Sequence, residues 1–294
     1  MKSKVVKRSI GLALAFVVLG AFLYTQNHML TVTEYRLKVW PDGISSATQL
    51  IDAPTLNIVH LSDLHSTWFG KSQSVLIKKV QALKPDIVMI TGDLVDAHRG
   101  DIAPALSLVE ALSQTAKVYV SYGNHEGWYF DEVGINGFSE QLSAAGATVL
   151  RGTSEVFTPG TSTDLQNRSL VIAGLDDPNL REWSSFEDFP RPLKELKDEA
   201  RFTILLSHRP EHFDDYVNAG ADLVLSGHAH GGQVRLPWIG GVIAPDQGLF
   251  PKYDAGIFKR EKTAMIVSRG LGNSIVPLRL FNYPEIGWIK LYTK

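Results

Sequence analysis

Short apolar runs alternate with amphipathic ones along most of the chain. Runs rich in β-branched residues recur as LNIVHL from Leu56, DIVMIT from Asp86, KVYVS from Lys117, SLVIAG from Ser169, FTILLS from Phe202 and ADLVLS from Ala221, followed by AMIVS from Ala264 and GWIKLY from Gly287. Uninterrupted apolar strands of this length suit sheets covered on both faces. Between them, Leu76, Ile77, Val80 and Leu83 share one helical face, as do Leu106, Val109 and Leu112, and again Phe138, Leu142 and Ala145. Strands alternating with helices predict an α/β sandwich. Ahead of this series, Val32, Tyr35, Leu37 and Val39 are apolar while Glu34, Arg36 and Lys38 are charged, which predicts a half-buried strand. PDGISS then predicts a turn-rich stretch.

The N-terminus breaks this rhythm. Lys2, Lys4, Lys7 and Arg8 precede an apolar run from Ile10 to Tyr24, and no charged residue follows until Glu34. This is the pattern of a signal peptide or an uncleaved signal anchor. A span needs ~20 residues; uncharged Ser9, Thr25, Gln26 and Asn27 extend the run at its ends. Gly20 and Ala21 make a poor cleavage site, which favours the anchor over secretion after cleavage. Lys7-Arg8 does not make a twin-arginine signal. Cations remain on the cytoplasmic side, so the rest of the chain is expected outside. The division expected is residues 1–30 as membrane segment and 31–294 as one catalytic-sized domain.

Composition narrows the function. Of 294 residues, 44% are apolar and 20% charged, enough for a sizeable core. A net charge of -2, with no basic run interleaved with aromatics, argues against a nucleic-acid partner. The absence of cysteine excludes a disulfide framework, a thiolate metal site and a cysteine nucleophile.

The candidate chemistry lies at the ends of the apolar runs. LNIVHL leads to Asp63 and His65, DIVMIT to Gly92 and Asp93, and KVYVS to Asn124, His125 and Glu126. FTILLS leads to His208, and ADLVLS to His228 and His230 in GHAHGG. Singly, Asp-x-His is most often a turn or helix cap, Gly-Asn is turn chemistry, and a lone His is most often a satisfied core residue. Five runs ending in carboxylate, amide or imidazole carry more weight, because ligands of open α/β sheets collect outside the carboxyl ends of strands. Oxygen and imidazole donors without thiolate suit Mn, Fe or Zn. Asp-x-His and His-x-His are read as extended tips whose alternate residues point the same way, with neighbouring glycines permitting sharp turns.

Taken in order, DLH, GD, GNHE, LSH and GHAH resemble the calcineurin-like metallophosphoesterase family. HLSDLHS, ITGDLVD, LSGHAHGGQVRLPWIGG and SRGLGNSIVPLRLFNYPEI are similar to its bacterial membrane-associated or exported phosphodiesterase branch. The resemblance implies a four-layer αββα sandwich, two central mixed sheets flanked by helices. It implies two divalent metal ions: Asp63, His65 and His230 on the first, Asn124, His208 and His228 on the second, and Asp93 bridging. His125 would be the catalytic histidine, and a metal-activated hydroxide would attack phosphorus in line. Asp96 and Glu126 would orient ligands. Ser66 departs from many relatives at the residue after DLH. The expected substrate is a phosphoester, a phosphodiester first, with lipid-linked envelope phosphoesters such as nucleotide-sugar lipid pyrophosphates suggested by the anchor. A non-catalytic metal-binding scaffold is the alternative, and a nuclease is disfavoured by the charge. Trp68-Phe69 and Trp128 to Phe130 are read either as an apolar rim for a lipid or as core.

Overall fold

The computed structural model describes residues 2–39, 44–46, 56–159, 169–180, 201–274 and 278–292. A helix, α1 (Lys2–His28), leads into the first sheet. That sheet has seven strands in the order β2-β1-β17-β3-β4-β5-β6. They are β1 (Thr31–Val39), β2 (Ile44–Ser46), β3 (Leu56–Leu61), β4 (Ile87–Thr91), β5 (Lys117–Ser121), β6 (Ala147–Val149) and β17 (Glu285–Tyr292). β3 to β6 run parallel, whereas β17 enters antiparallel to β3 and parallel to β1. The second sheet has six strands in the order β15-β16-β10-β9-β8-β7. These are β7 (Thr153–Phe157), β8 (Leu170–Gly174), β9 (Thr203–Leu206), β10 (Leu223–Ser226), β15 (Gly256–Arg260) and β16 (Thr263–Val267). Two small hairpins lie between β10 and β15: β11 (Arg235–Leu236) with β12 (Gly240–Gly241), and β13 (Ile243–Ala244) with β14 (Gly248–Leu249).

Side chains on alternate positions of each strand divide between two packed layers. Ile58, Ile87, Met89 and Ile289 from the first sheet meet Ile172, Ile204, Leu206 and Leu225 from the second in one inter-sheet core. On the opposite face of the first sheet, Val59, Leu61, Val88 and Val120 pack against α2 (Ser74–Ala82), α3 (Ala103–Ser113) and α5 (Glu132–Ala144). On the outer face of the second, Leu205, Val224 and Met265 meet α6 (Phe213–Asn218) and Tyr253. The layers are therefore helix, sheet, sheet, helix, as expected. Leu76, Val80, Leu108, Val109, Leu112, Phe138 and Leu142 supply the buried faces of the helices.

The alternating stretch after α1 forms β1, whose side chains are alternately half-buried and exposed before Leu37 and Val39 enter the core. The turn expected at PDGISS falls partly outside the described residues. Ser9–His28 of α1 is long and apolar enough to cross a membrane, a property shared by anchors and signal sequences.

Candidate active site

β3, β4, β5, β9 and β10 end at one edge, where the two sheets meet. Their loops carry Asp63 and His65, Asp93, Asn124 and His125, His208, and His228 and His230. All eight residues are at most 3% exposed. Asp63, His65, Asp93 and His230 each offer a ligand atom within 4.8 Å of the others; Asp93, His208 and His228 do the same, so Asp93 belongs to both sets.

The expectation of extended tips is corrected here. Asp63, His65, Asp93, His228 and His230 have φ of 54°, 44°, 51°, 65° and 47°. These residues sit in tight left-handed turns, a conformation that costs a side-chain-bearing residue roughly 1–2 kcal/mol. Bonds between loops hold the turns. Asp63 N–H donates to Gly92 O at 3.0 Å and His65 N–H to Asp93 O at 2.8 Å. His228 N–H donates to Asp63 Oδ1 at 3.0 Å and His125 N–H to Asp93 Oδ1 at 2.9 Å. Asp93 thus fixes a neighbouring loop with Oδ1 and turns Oδ2 to His65 and His208, at 3.5 and 3.2 Å, whereas Asp63 uses Oδ1 both for the His228 loop and toward His230, 3.5 Å away. Gly227 permits the close approach: a Cβ there would collide with Ser62 Oγ and Asp63 Oδ2.

The donor set fits divalent cations. Asp63 Oδ2, Asn124 Oδ1 and His208 Nε2 are buried without a hydrogen-bond partner among the described residues. His208 Nδ1 donates to Thr91 O at 2.7 Å, so a neutral His208 turns a lone pair at Nε2 toward Asp93 Oδ2, 3.2 Å away. His65 Nε2 and His230 Nε2 face each other at 3.1 Å. Converging lone pairs on buried atoms repel one another unless a proton or cation stands between them. The electrostatics express the same need. Burial opposes charge on Asp93, yet His208 and His65 hold its carboxyl well below the usual range. Burial also opposes charge on His208, but Asp93 and Asp63 push it up to about 10. Burial pulls His230 down to about 3.

His125 is placed differently. Its Nδ1 accepts from Ala97 N–H at 3.0 Å, so a neutral ring carries its proton on Nε2, 3.1 Å from Ser274 Oγ. Burial lowers its pKa to about 4, outweighing Asp93. Its Nε2–H is thus a donor held by the backbone behind it. Ser274 lies within the SRGLGNSIVPLRLFNYPEI stretch, but no role was assigned to it there because its irregular loop carries no periodic signal.

Glu126 binds loops together. Its Oε2 accepts from Asp93 N–H (2.9 Å) and Gly123 N–H (2.8 Å), and Oε1 from Val95 N–H (3.0 Å). Burial and Asp93 push its carboxyl up to about 8, against the pull of the Val95 and Gly123 amides. Asp96 Oδ2 lies 3.5 Å from His65 Nδ1. Asp246, not anticipated from sequence, lies 2.9 Å from His228 Nε2 and 2.6 Å from Arg209 Nη1. Arg209 is itself bound by Asp177 at 2.6 Å, and Arg235 braces Gly231 O and Asp254, both at 2.9 Å.

A cavity of about 440 Å³ opens on the cluster, lined among others by Asp93, Asn124, His125, Trp128, His228 and Ser274. The aromatic pairs divide between rim and core. Trp68 and Trp128 are partly exposed, whereas Phe69 is buried and Phe130 packs against the core.

A two-sheet sandwich with a buried Asp/His/Asn cluster at its strand ends defines a metallohydrolase-type centre. The family model described as calcineurin-like phosphoesterase matches residues 56–232. The chain belongs to that family and is a hydrolase of phosphoric ester bonds. It is 31% identical over 277 residues to the uncharacterized metallophosphoesterase YkuE of Bacillus subtilis, covering 91% of this chain and 87% of the relative. It is 29% identical over 248 residues to phosphodiesterase YaeI of Escherichia coli, covering 82% and 83%. Among solved structures, a dimetal phosphatase of Danio rerio aligns with a TM-score of 0.47 at 13% identity, covering 74% of this chain and 88% of that one.

Proposed function

We propose that this chain is a metal-dependent phosphodiesterase. Asp63, His65 and His230 would hold one divalent cation, Asn124, His208 and His228 a second, and Asp93 would be shared. The observation that supports this best is the pair of overlapping donor sets joined at Asp93, with orphaned Asn124 Oδ1 and His208 Nε2. Bound cations of this kind, Mn, Fe or Zn, supply activation of water near neutral pH and neutralisation of phosphoryl charge.

The chain's own groups do the rest. His125 presents Nε2–H, which can hydrogen-bond a phosphoryl oxygen or pass its proton to the leaving oxygen. Ala97 N–H fixes the ring's tautomer from behind. Glu126 keeps the Asp93 and Gly123 turns in register, and Asp96, 3.5 Å from His65 Nδ1, would orient that ring once a cation is bound. Trp128 flanks the His125 ring at 4.9 Å and can cover one side of a bound ester.

We take residues 1–30 as an uncleaved anchor and residues 31–294 as the catalytic domain on the extracytoplasmic side. This placement favours a lipid-linked or envelope phosphoester. The testing experiment compares a chromogenic diester with its monoester, metal-free and with Mn²⁺. Metal-dependent diester turnover that disappears in Asp93→Asn is expected. Equal turnover by Asp93→Asn would refute the assignment, and a His125→Ala chain that keeps its biological role would favour the scaffold reading.

A further inference from the structure

A second cavity adjoins the active site and ends on α1. It measures about 580 Å³ and is lined among others by Asn27, His28, Thr67, Asp96, Asn273 and Ser274. Ser274 lines both cavities, and its hydroxyl lies 3.1 Å from His125 Nε2. Asp96, also in the second cavity, reaches His65. The space therefore extends from groups that touch the metal-type cluster to the last turn of the apolar helix.

That last turn is built into the domain. Gln26 is fully buried and Leu30 joins the core. Asn27 Oδ1 accepts from Asn273 Nδ2 at 2.7 Å and from Arg279 N–H at 3.2 Å. Further back, Phe22 meets Phe281 edge-on, with ring centroids 5.9 Å apart. Phe22 precedes His28 by six residues, or roughly 9 Å of helix axis at 1.5 Å per residue. The domain surface thus reaches down beside the apolar helix and does not stand away from it on a linker. Phe281 and Trp68, next to the cavity residue Thr67, are 57% and 41% exposed. Exposed aromatic side chains beside the end of an apolar span suit a membrane–water interface.

We propose that the second cavity is the subsite for the lipid-side part of a membrane phosphodiester, with the end of α1 as one of its walls. This rests on the phosphodiesterase reading and on α1 remaining attached. Amide, imidazole and hydroxyl groups from Asn27, His28, Thr67 and Asn273 match the hydroxyl and ester oxygens adjoining a lipid phosphate. The acyl chains remain beside α1 in the bilayer. The phosphoryl group sits at the cluster, and the water-soluble part of the ester takes the cavity beside Trp128. In the reaction the oxygen of water bonds to phosphorus, the bond from phosphorus to the departing alcohol oxygen breaks, and a proton ends on that oxygen.

The test uses the full chain in phosphatidylcholine vesicles with Mn²⁺. Two esters are supplied: the para-nitrophenyl ester of dioleoyl phosphatidic acid within the bilayer, and bis(para-nitrophenyl) phosphate in the water. His28→Trp and His98→Trp fill the cavity from exposed positions; the His98 side chain, also in the lining, is 72% exposed. In both variants the ratio of kcat/KM for the lipid ester to that for the soluble ester falls about tenfold or more, while the melting temperature holds. An unchanged ratio, or an equal loss on both esters, would overturn the subsite. Wild-type turnover of the soluble ester alone would refute the lipid class and leave the phosphodiesterase reading standing. Turnover of neither ester would bring down both.

Discussion

Above about pH 8, where Glu126 is ionised, Glu126→Gln removes one charge and almost no volume, and the structure makes its cost calculable. The wild-type carboxylate accepts three backbone N–H groups, two on Oε2 and one on Oε1. All three neighbours are donors. A glutamine can put its oxygen at the Oε2 position and keep the Asp93 and Gly123 bonds, but its amide then opposes Val95 N–H. The loss is one charge-assisted bond of about 1.5–3 kcal/mol and one buried unsatisfied donor of about 1–3 kcal/mol. We therefore expect roughly 3–5 kcal/mol of destabilisation. At about 2–4 °C per kcal/mol for a large domain, the melting temperature should fall by at least about 6 °C. Since the lost bond fixes Val95, two residues beyond Asp93 in the same loop, turnover of the soluble diester should fall about tenfold or more, mainly in kcat. Thermal unfolding by circular dichroism and steady-state kinetics read the two effects separately. A Gln variant that melts within about 1 °C of wild type and turns over normally would show that the three amides do not depend on a charged acceptor.

Other expectations concern separate parts of the molecule. Ser274→Ala should lower turnover about 2- to 10-fold by releasing the ring of His125, the equivalent of one hydrogen bond; unaltered kcat would remove Ser274 from the site. Leu225→Ala should destabilise by about 2–5 kcal/mol, because it opens a cavity between the sheets, as denaturant unfolding would show. His60 is buried, hydrogen-bonded through Nε2 to Thr91 Oγ1 at 2.8 Å, and lowered to about 4 by burial, against Glu285 and Asp63. The unfolded chain binds this proton first, so up to about 3 kcal/mol of stability should be lost as pH falls from about 6.5 to about 4. His60→Gln should flatten that limb of the stability–pH curve, and an identical curve would refute the assignment.

Much of the molecule was legible because periodicity reports burial. The continuous runs became β3, β4, β5, β8, β9, β10, β16 and β17, and the three amphipathic faces became α2, α3 and α5. The eight polar residues at run ends do come together. Elements with little burial gave no signal. β6 has only three residues, and β7, at a sheet edge, has no buried residue. α4 (Asn124–Tyr129) is too short for a helical period and begins within the site itself. Apolar runs also do not tell which sheet a strand joins, so the entry of β17 between β1 and β3 was not readable. The left-handed turns at Asp63, His65, His228 and His230 were misread as extended because neither Asp nor His announces positive φ as Gly does. Ser274, within the SRGLGNSIVPLRLFNYPEI stretch, and Asp246 reach the site from loops far along the chain, where only three-dimensional contact assigns them a role.

The most direct test of the two-cation centre joins stoichiometry to turnover. The chain would be stripped with a chelator, titrated with Mn²⁺ by calorimetry, and assayed for diester hydrolysis at each point. Activity should saturate at two equivalents per chain, and Asp93→Asn should bind less metal and remain inactive. Full hydrolysis by the stripped chain, or saturation at one equivalent with Asp93→Asn unimpaired, would contradict a centre built around a shared Asp93.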